Sequence, residues 1–133
     1  MLDRNEETCW QYNQDYTSDG YKTYIVLTLS RAAKVQTLLV KNGFWKINSG
    51  IDQYWRNNRV KAAVISFQYE GDAGFTDAVT YTFADVKQIA EVDLGGREDV
   101  VAVRFAIESV YRGERFDEVA ITYMELVGYP SGY

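Results

Sequence analysis

The chain has 133 residues, enough for one domain with its own core and too few for a second. A net charge of −5 with no basic run argues against a nucleic-acid backbone as partner, because counterion release needs clustered Lys and Arg. With no histidine there is no Ser–His or Cys–His dyad and no imidazole zinc site.

In chain order, "LDRNEETCW" (2–10) comes first, with the form Asp-x-Asn-x-x-Thr-x-Trp. Asp3, Asn5 and Thr8 are hard oxygen ligands spaced closely enough to wrap a calcium ion. Alternatively, the Asp and Asn form Asx-turns and Trp10 enters the core. The single Cys9 leaves no internal disulfide. Strands are then predicted at 22–29 and 35–41, separated by a polar link, and at 59–69, 78–83, 88–94, 100–110 and 119–127. The clearest is "VVAVRFAIESV", in which Val101, Val103, Phe105 and Ile107 share one face. "EGDAG", "LGGRED" and "YRGERFD" read as turns. Period-2 alternation at this spacing predicts an antiparallel sandwich or barrel, and Pro130 marks its end. No apolar stretch is long enough to span a membrane as a helix, so no membrane insertion is expected.

The stretch "NGFWKINSGIDQYWRNNRV" (42–60) interrupts this pattern with Phe44, Trp45, Tyr54 and Trp55 in a segment of no strand or helix period. Trp45, Tyr54 and Trp55 are expected to form a partly exposed platform, with Asn57, Asn58 and Arg59 at its edge or behind it. The alternative is that the rings plug the end of the core. Arg59 is expected to pair with a carboxylate such as Asp117, and Asp85 with Gln88 to organise a turn through side-chain-to-backbone bonds. Asp52 with Asp117 is the best carboxylate pair for glycoside chemistry. It is a poor one without an enclosing domain, so no hydrolysis is expected and the chain reads as no enzyme.

Five stretches in register carry a resemblance: Asp3 to Trp10, "KNGF" (41–44), "NNRVK" (57–61), Asp85 with Gln88, and "VYRGERFDEVAI" (110–121). Together they resemble the galactose-binding-like, discoidin-type (F5/8 type C-like) family, and within it the NADase-type glycan-binding branch. The resemblance implies an all-β, antiparallel jelly-roll β-sandwich spanning 1–133. It also implies a non-catalytic carbohydrate-binding module of a larger bacterial protein, secreted or at the cell surface. Its ligand residues would be Trp45, Tyr54, Trp55, Asn57, Asn58, Arg59, Tyr111 and Asp117. The other reading is a protein-interaction or spacer domain. The branch takes its name from neighbouring enzyme domains, so activity is not inherited from it.

Two departures matter. The strand that precedes the Asp loop in the family is missing, as in a domain excised from a longer chain. The Glu that closes the family's calcium shell, two residues after the match to Ile121, is here Tyr123, with Glu125 two residues further on the same face. A phenol is a poor calcium ligand. Little or no calcium binding, no other cofactor and a monomer are therefore expected. Millimolar calcium should leave the melting temperature unchanged; a marked rise reversed by chelator would contradict this, since ligands of the native state stabilise it.

Overall fold

The structure, a computed structural model, describes residues 10–13, 24–116 and 118–131, the first segment by its backbone alone. Asp3, Asn5, Thr8, the Trp10 side chain and Asp117 lie outside the described residues, and with them the loop that resembles a calcium site.

Eight strands are formed: β1 (Trp10–Asn13), β2 (Tyr24–Asn42), β3 (Ile47–Asn48), β4 (Ile51–Asp52), β5 (Arg59–Tyr69), β6 (Thr76–Thr82), β7 (Ile89–Tyr111) and β8 (Glu118–Pro130). Six of them make an antiparallel sheet in the order β1-β8-β2-β7-β5-β6, and β3 and β4 make a small hairpin. The expected pairs of strands at 22–29 with 35–41, and at 88–94 with 100–110, are each one continuous strand. The turn-like residues between them are spent on bulges instead. Gly95 and Gly96 (φ 78° and 67°) and Asp99 (φ 58°) are left-handed, so they bend β7 without reversing it. β2 follows the bend, with register shifts between Thr28 and Thr37.

The bend folds the sheet over on itself. The first part of β2 pairs with the second half of β7 (Tyr24↔Ala106 to Thr28↔Ala102), and β5 and β6 extend that layer. The second part of β2 pairs with the start of β7 (Thr37↔Asp93 to Lys41↔Ile89), and β8 and β1 extend the other layer. One apolar cluster lies between them. It draws Ile65, Phe67, Val103 and Phe105 from the first layer and Leu38, Val40, Ile121 and Met124 from the second.

At one end the layers are laced together by the 42–60 stretch. Buried Asn42 exchanges two bonds with Val60: its Nδ2 donates to the Val60 carbonyl at 2.7 Å, and its Oδ1 accepts from the Val60 N–H at 2.9 Å. Within the stretch the β3–β4 hairpin turns at Ser49-Gly50, both left-handed (φ 53° and 76°), as a two-residue hairpin of matching twist requires.

Candidate functional site

The expected aromatic platform is only partly formed, because its three rings have different environments. Trp55 is 43% exposed and Tyr54 is fully buried. Trp45 is half-buried, its Nε1 donating to the Asn42 carbonyl at 2.7 Å and its N–H to Thr122 Oγ1 at 3.0 Å. Trp45 stands beside two ammonium groups, with Lys41 Nζ 5.2 Å and Lys87 Nζ 5.9 Å from its ring centre. Tyr54 turns inward because its backbone N–H is taken by Asp52 Oδ1 (3.0 Å), while Gly43 leaves room for its ring against the chain. Trp55 stands edge-on to it, ring centres 4.7 Å apart.

Arg59 ties this end together. Its guanidinium grips Asp85 in a two-pronged pair, Nε to Oδ1 at 3.1 Å and Nη2 to Oδ2 at 2.8 Å. Nη1 donates to the Asn57 carbonyl at 3.0 Å and reaches the Arg112 carbonyl at 3.4 Å. Its carbon centre lies 5.2 Å from the rings of both Tyr54 and Trp55. Among the described residues its carboxylate partner is Asp85; the expected partner Asp117 lies outside them. Asp85 departs from expectation, since its carboxylate holds side chains, Arg59 and the Tyr54 hydroxyl (3.2 Å), rather than turn backbone. A planar carboxylate matches the planar guanidinium fork, and the cationic face suits two aromatic rings.

The neighbouring polar residues are committed to structure in the same way. Asn57 Nδ2 donates to the Gln53 carbonyl at 3.1 Å. Asn58, fully buried, accepts the Gly113 N–H at 2.7 Å and bridges to β8 by main-chain bonds with Glu118 and Ala120. Tyr111 donates its hydroxyl to the Phe83 carbonyl at 2.7 Å. Asp52 pairs with Lys87 at 3.1 Å. Tyr123 donates to Glu125 at 2.5 Å, so the phenol at the family's closing position is bonded to the carboxylate two residues on.

Three segments therefore meet at this end. The 112–116 turn docks on 55–57 through main-chain bonds, Glu114 N–H to the Trp55 carbonyl (2.9 Å) and Phe116 N–H to the Arg56 carbonyl (2.9 Å). The 83–88 turn is held by Asp85. Around them Ile47, Ile51, Trp55, Val86 and Phe116 are exposed, and Arg56 lies 5.6 Å over the Phe116 ring. Ile47, Ile51, Val86 and Phe116 were not singled out from sequence; apolar residues inside turn-like segments were the available signal. Beside them, between Asn42, Phe83, Val86 and Ile89, runs an open cleft of about 230 Å³. That is below the roughly 300 Å³ of small-molecule sites, so this end presents a surface rather than a pocket.

Burial, and after it the facing Asp85 carboxylate, raises the Tyr54 phenol above its ordinary range. A folded-state pKa above the unfolded one gives stability that is complete below the unfolded value, about pH 10, and is lost as pH rises beyond it toward the folded value. Tyr54→Phe should cost about 1 kcal/mol at pH 8 for the lost hydrogen bond. It should also lessen the loss of stability between pH 10 and 12. Urea unfolding of both proteins at pH 8 and 11 tests this; parallel losses would refute it.

Residues 1–127 match the family model described as the NAD glycohydrolase translocation F5/8 type C domain. Several solved structures share the fold. The chain is similar to the F5/8 type C domain of a Bacteroides fragilis protein, at 13% identity and TM-score 0.68, covering 96% of this chain and 78% of that one. It is also similar to the Streptococcus pyogenes NAD+-glycohydrolase translocation domain, at 16% identity and TM-score 0.57, covering 86% of this chain and 96% of that one. No curated protein matches. Identities this low speak for the fold, which is the galactose-binding-like β-sandwich that the sequence resemblance implied. The match over nearly the whole length speaks for the family: the chain belongs to the NAD glycohydrolase translocation F5/8 type C domains.

Proposed function

We propose that the chain is a non-catalytic binding module that attaches a larger, exported protein to its target through the rim around Trp55, and that the target surface is protein. The observation that carries this is the composition of the rim. Its exposed apolar groups are Trp55, Phe116, Ile47, Ile51 and Val86, with half-buried Arg56 over the Phe116 ring, whereas Asn57, Asn58 and Arg59 are buried and internally bonded. Trp beside Arg and exposed aliphatic side chains are the make-up of a protein-binding anchor. A sugar needs amide, carboxylate or guanidinium partners for its hydroxyls, and most of those predicted for it are already engaged.

One observation keeps the glycan reading as the second. The Trp55 face is available for stacking, and Asn48 and Ser49 stand exposed at the nearby hairpin. The resemblance of the Streptococcus pyogenes domain, described as a translocation domain, supports a role in delivery more than in chemistry.

The test uses the whole chain and its Trp55→Ala variant on a glycan array and on a panel of purified extracellular proteins. Trp55 also packs on Tyr54 and Arg59, so the variant should lose about 1–2 kcal/mol of stability and still be folded at the assay temperature, which circular dichroism checks. Binding to a protein ligand, weakened at least tenfold by the substitution, is the expected result. Stoichiometric, Trp55-dependent binding to a glycan would establish the second reading instead. Binding of either kind that ignores Trp55 would overturn the rim as the site.

A further inference from the structure

The far edge of the first layer is open. Among the described residues no strand pairs with β6 on the side away from β5, and six of its seven residues are exposed. Exposed edges are commonly protected by a charge, a proline or a strong bulge in mid-strand. Here "AVTYTFA" (78–84) has no charge and no proline, and the bulge at Asp77 (φ 57°) lies before it.

The direction of the free backbone groups follows from the ladder. The Phe83 N–H donates to the Lys61 carbonyl of β5 at 2.8 Å. In an antiparallel pair the bonded residues alternate, so Tyr81 and Val79 also face β5, opposite Ala63 and Ile65. Ala78, Thr80 and Thr82 therefore direct their N–H and C=O groups outward. Only another extended backbone matches donors and acceptors at that spacing.

We propose that the strand added there is β6 of a second copy of this chain, antiparallel about a twofold axis through Thr80. The outward groups are self-complementary in that register: Thr80 meets Thr80, and Ala78 meets Thr82 in both directions. No like charges are opposed, because the paired segment is uncharged. The side chains fit as well. Val79 is exposed and Tyr81 half-buried where the core reaches the open edge, and in this register each Val79 lies opposite the partner copy's Tyr81. Aromatic–β-branched pairs of this kind stabilise antiparallel edges. The result departs from the monomer expected from sequence. Five paired residues bury far less than the roughly 1,200 Å² of a stable complex, so the dimer is weak and concentration-dependent.

Sedimentation velocity of the whole chain from micromolar to millimolar concentration reads the association directly. The expected result is a monomer at the low end and a reversible dimer at the high end. Thr80→Lys, which opposes two ammonium groups across the axis, should weaken the dimer at least tenfold with an unchanged circular-dichroism spectrum. Thr80→Pro, which removes an N–H that β5 does not use, should do the same. In a Cys9→Ser background, Thr80→Cys should form a covalent dimer with oxidised glutathione. Directly opposed bonded residues have Cα atoms about 5.5 Å apart, within disulfide range. Thr28→Cys, on β2 at the far side of the same layer, should not. A chain that stays monomeric to the millimolar range overturns the proposal, and so would an edge reserved for another protein's strand, which gives the same result. A dimer indifferent to both Thr80 substitutions overturns it equally, since its interface lies elsewhere.

Discussion

Asp85→Ala should destabilise the fold by about 3 kcal/mol, the lower end of the range for removing one partner of a buried ion pair. Arg59 is only 4% exposed, and the substitution leaves its guanidinium charge facing aromatic rings with main-chain carbonyls as its remaining partners among the described residues. The lower end applies because the Asp85 side chain is itself 30% exposed, so water relieves part of the loss. The same change removes the acceptor of the Tyr54 hydroxyl. Arg59→Leu combined with Asp85→Ala should recover part of the loss, because the unpaired buried charge is then gone. Urea unfolding of the single and double variants reads both effects. A loss under 1 kcal/mol for Asp85→Ala would mean that the clasp does not hold this end together.

Gly113→Ala should be comparably damaging, for a steric reason. A Cβ at Gly113 would lie 2.4 Å from the Arg56 carbonyl oxygen and 2.5 Å from the Asn57 carbonyl carbon. Both obstacles are backbone, so no rotamer change relieves the clash, and the cost belongs at the upper end of overpacking, about 3 kcal/mol. The alternative is for the 112–116 turn to lift away. It would then lose the bonds from Gly113 to Asn58 and from Glu114 and Phe116 to 55–57, and carry Phe116 out of the rim. Gly50→Ala is the control. It meets nothing within 4 Å and suffers only from its left-handed backbone (φ 76°), for about 1 kcal/mol. Equal melting temperatures for the two variants would show that close approach is not what fixes glycine at 113.

What the sequence conveyed and what it withheld follow a physical division. Alternation located the strands, because one buried face leaves a period of two wherever it occurs. The same signal could not separate a turn from a bulge: Gly95-Gly96 has the composition of a hairpin and serves as a bend in one strand. Family resemblance supplied the sandwich through several short motifs in order. The site was less legible. Asn57, Asn58 and Arg59 are expected from sequence at the platform's edge or behind it, and which of these holds depends on partners at 85 and 118, far away in sequence. Tyr54 and Trp55 are adjacent and chemically alike, yet one is buried and the other forms the rim. That choice is made by Asp52, Gly43 and Asp85, only the first of which is near in sequence.

The long ribbon of β2 and β7 has a consequence for how the molecule comes apart. Each strand passes through both layers, so neither layer can melt while the other keeps its central pair. Amide hydrogens on Leu38, Val40, Val103 and Phe105 should then exchange with deuterium in one common event, with a single opening free energy equal to that of global unfolding. β6 pairs with β5 alone, and the β3–β4 hairpin has no ladder to the six-stranded sheet among the described residues. Their amides should exchange earlier, through separate local openings that leave the ribbon protected.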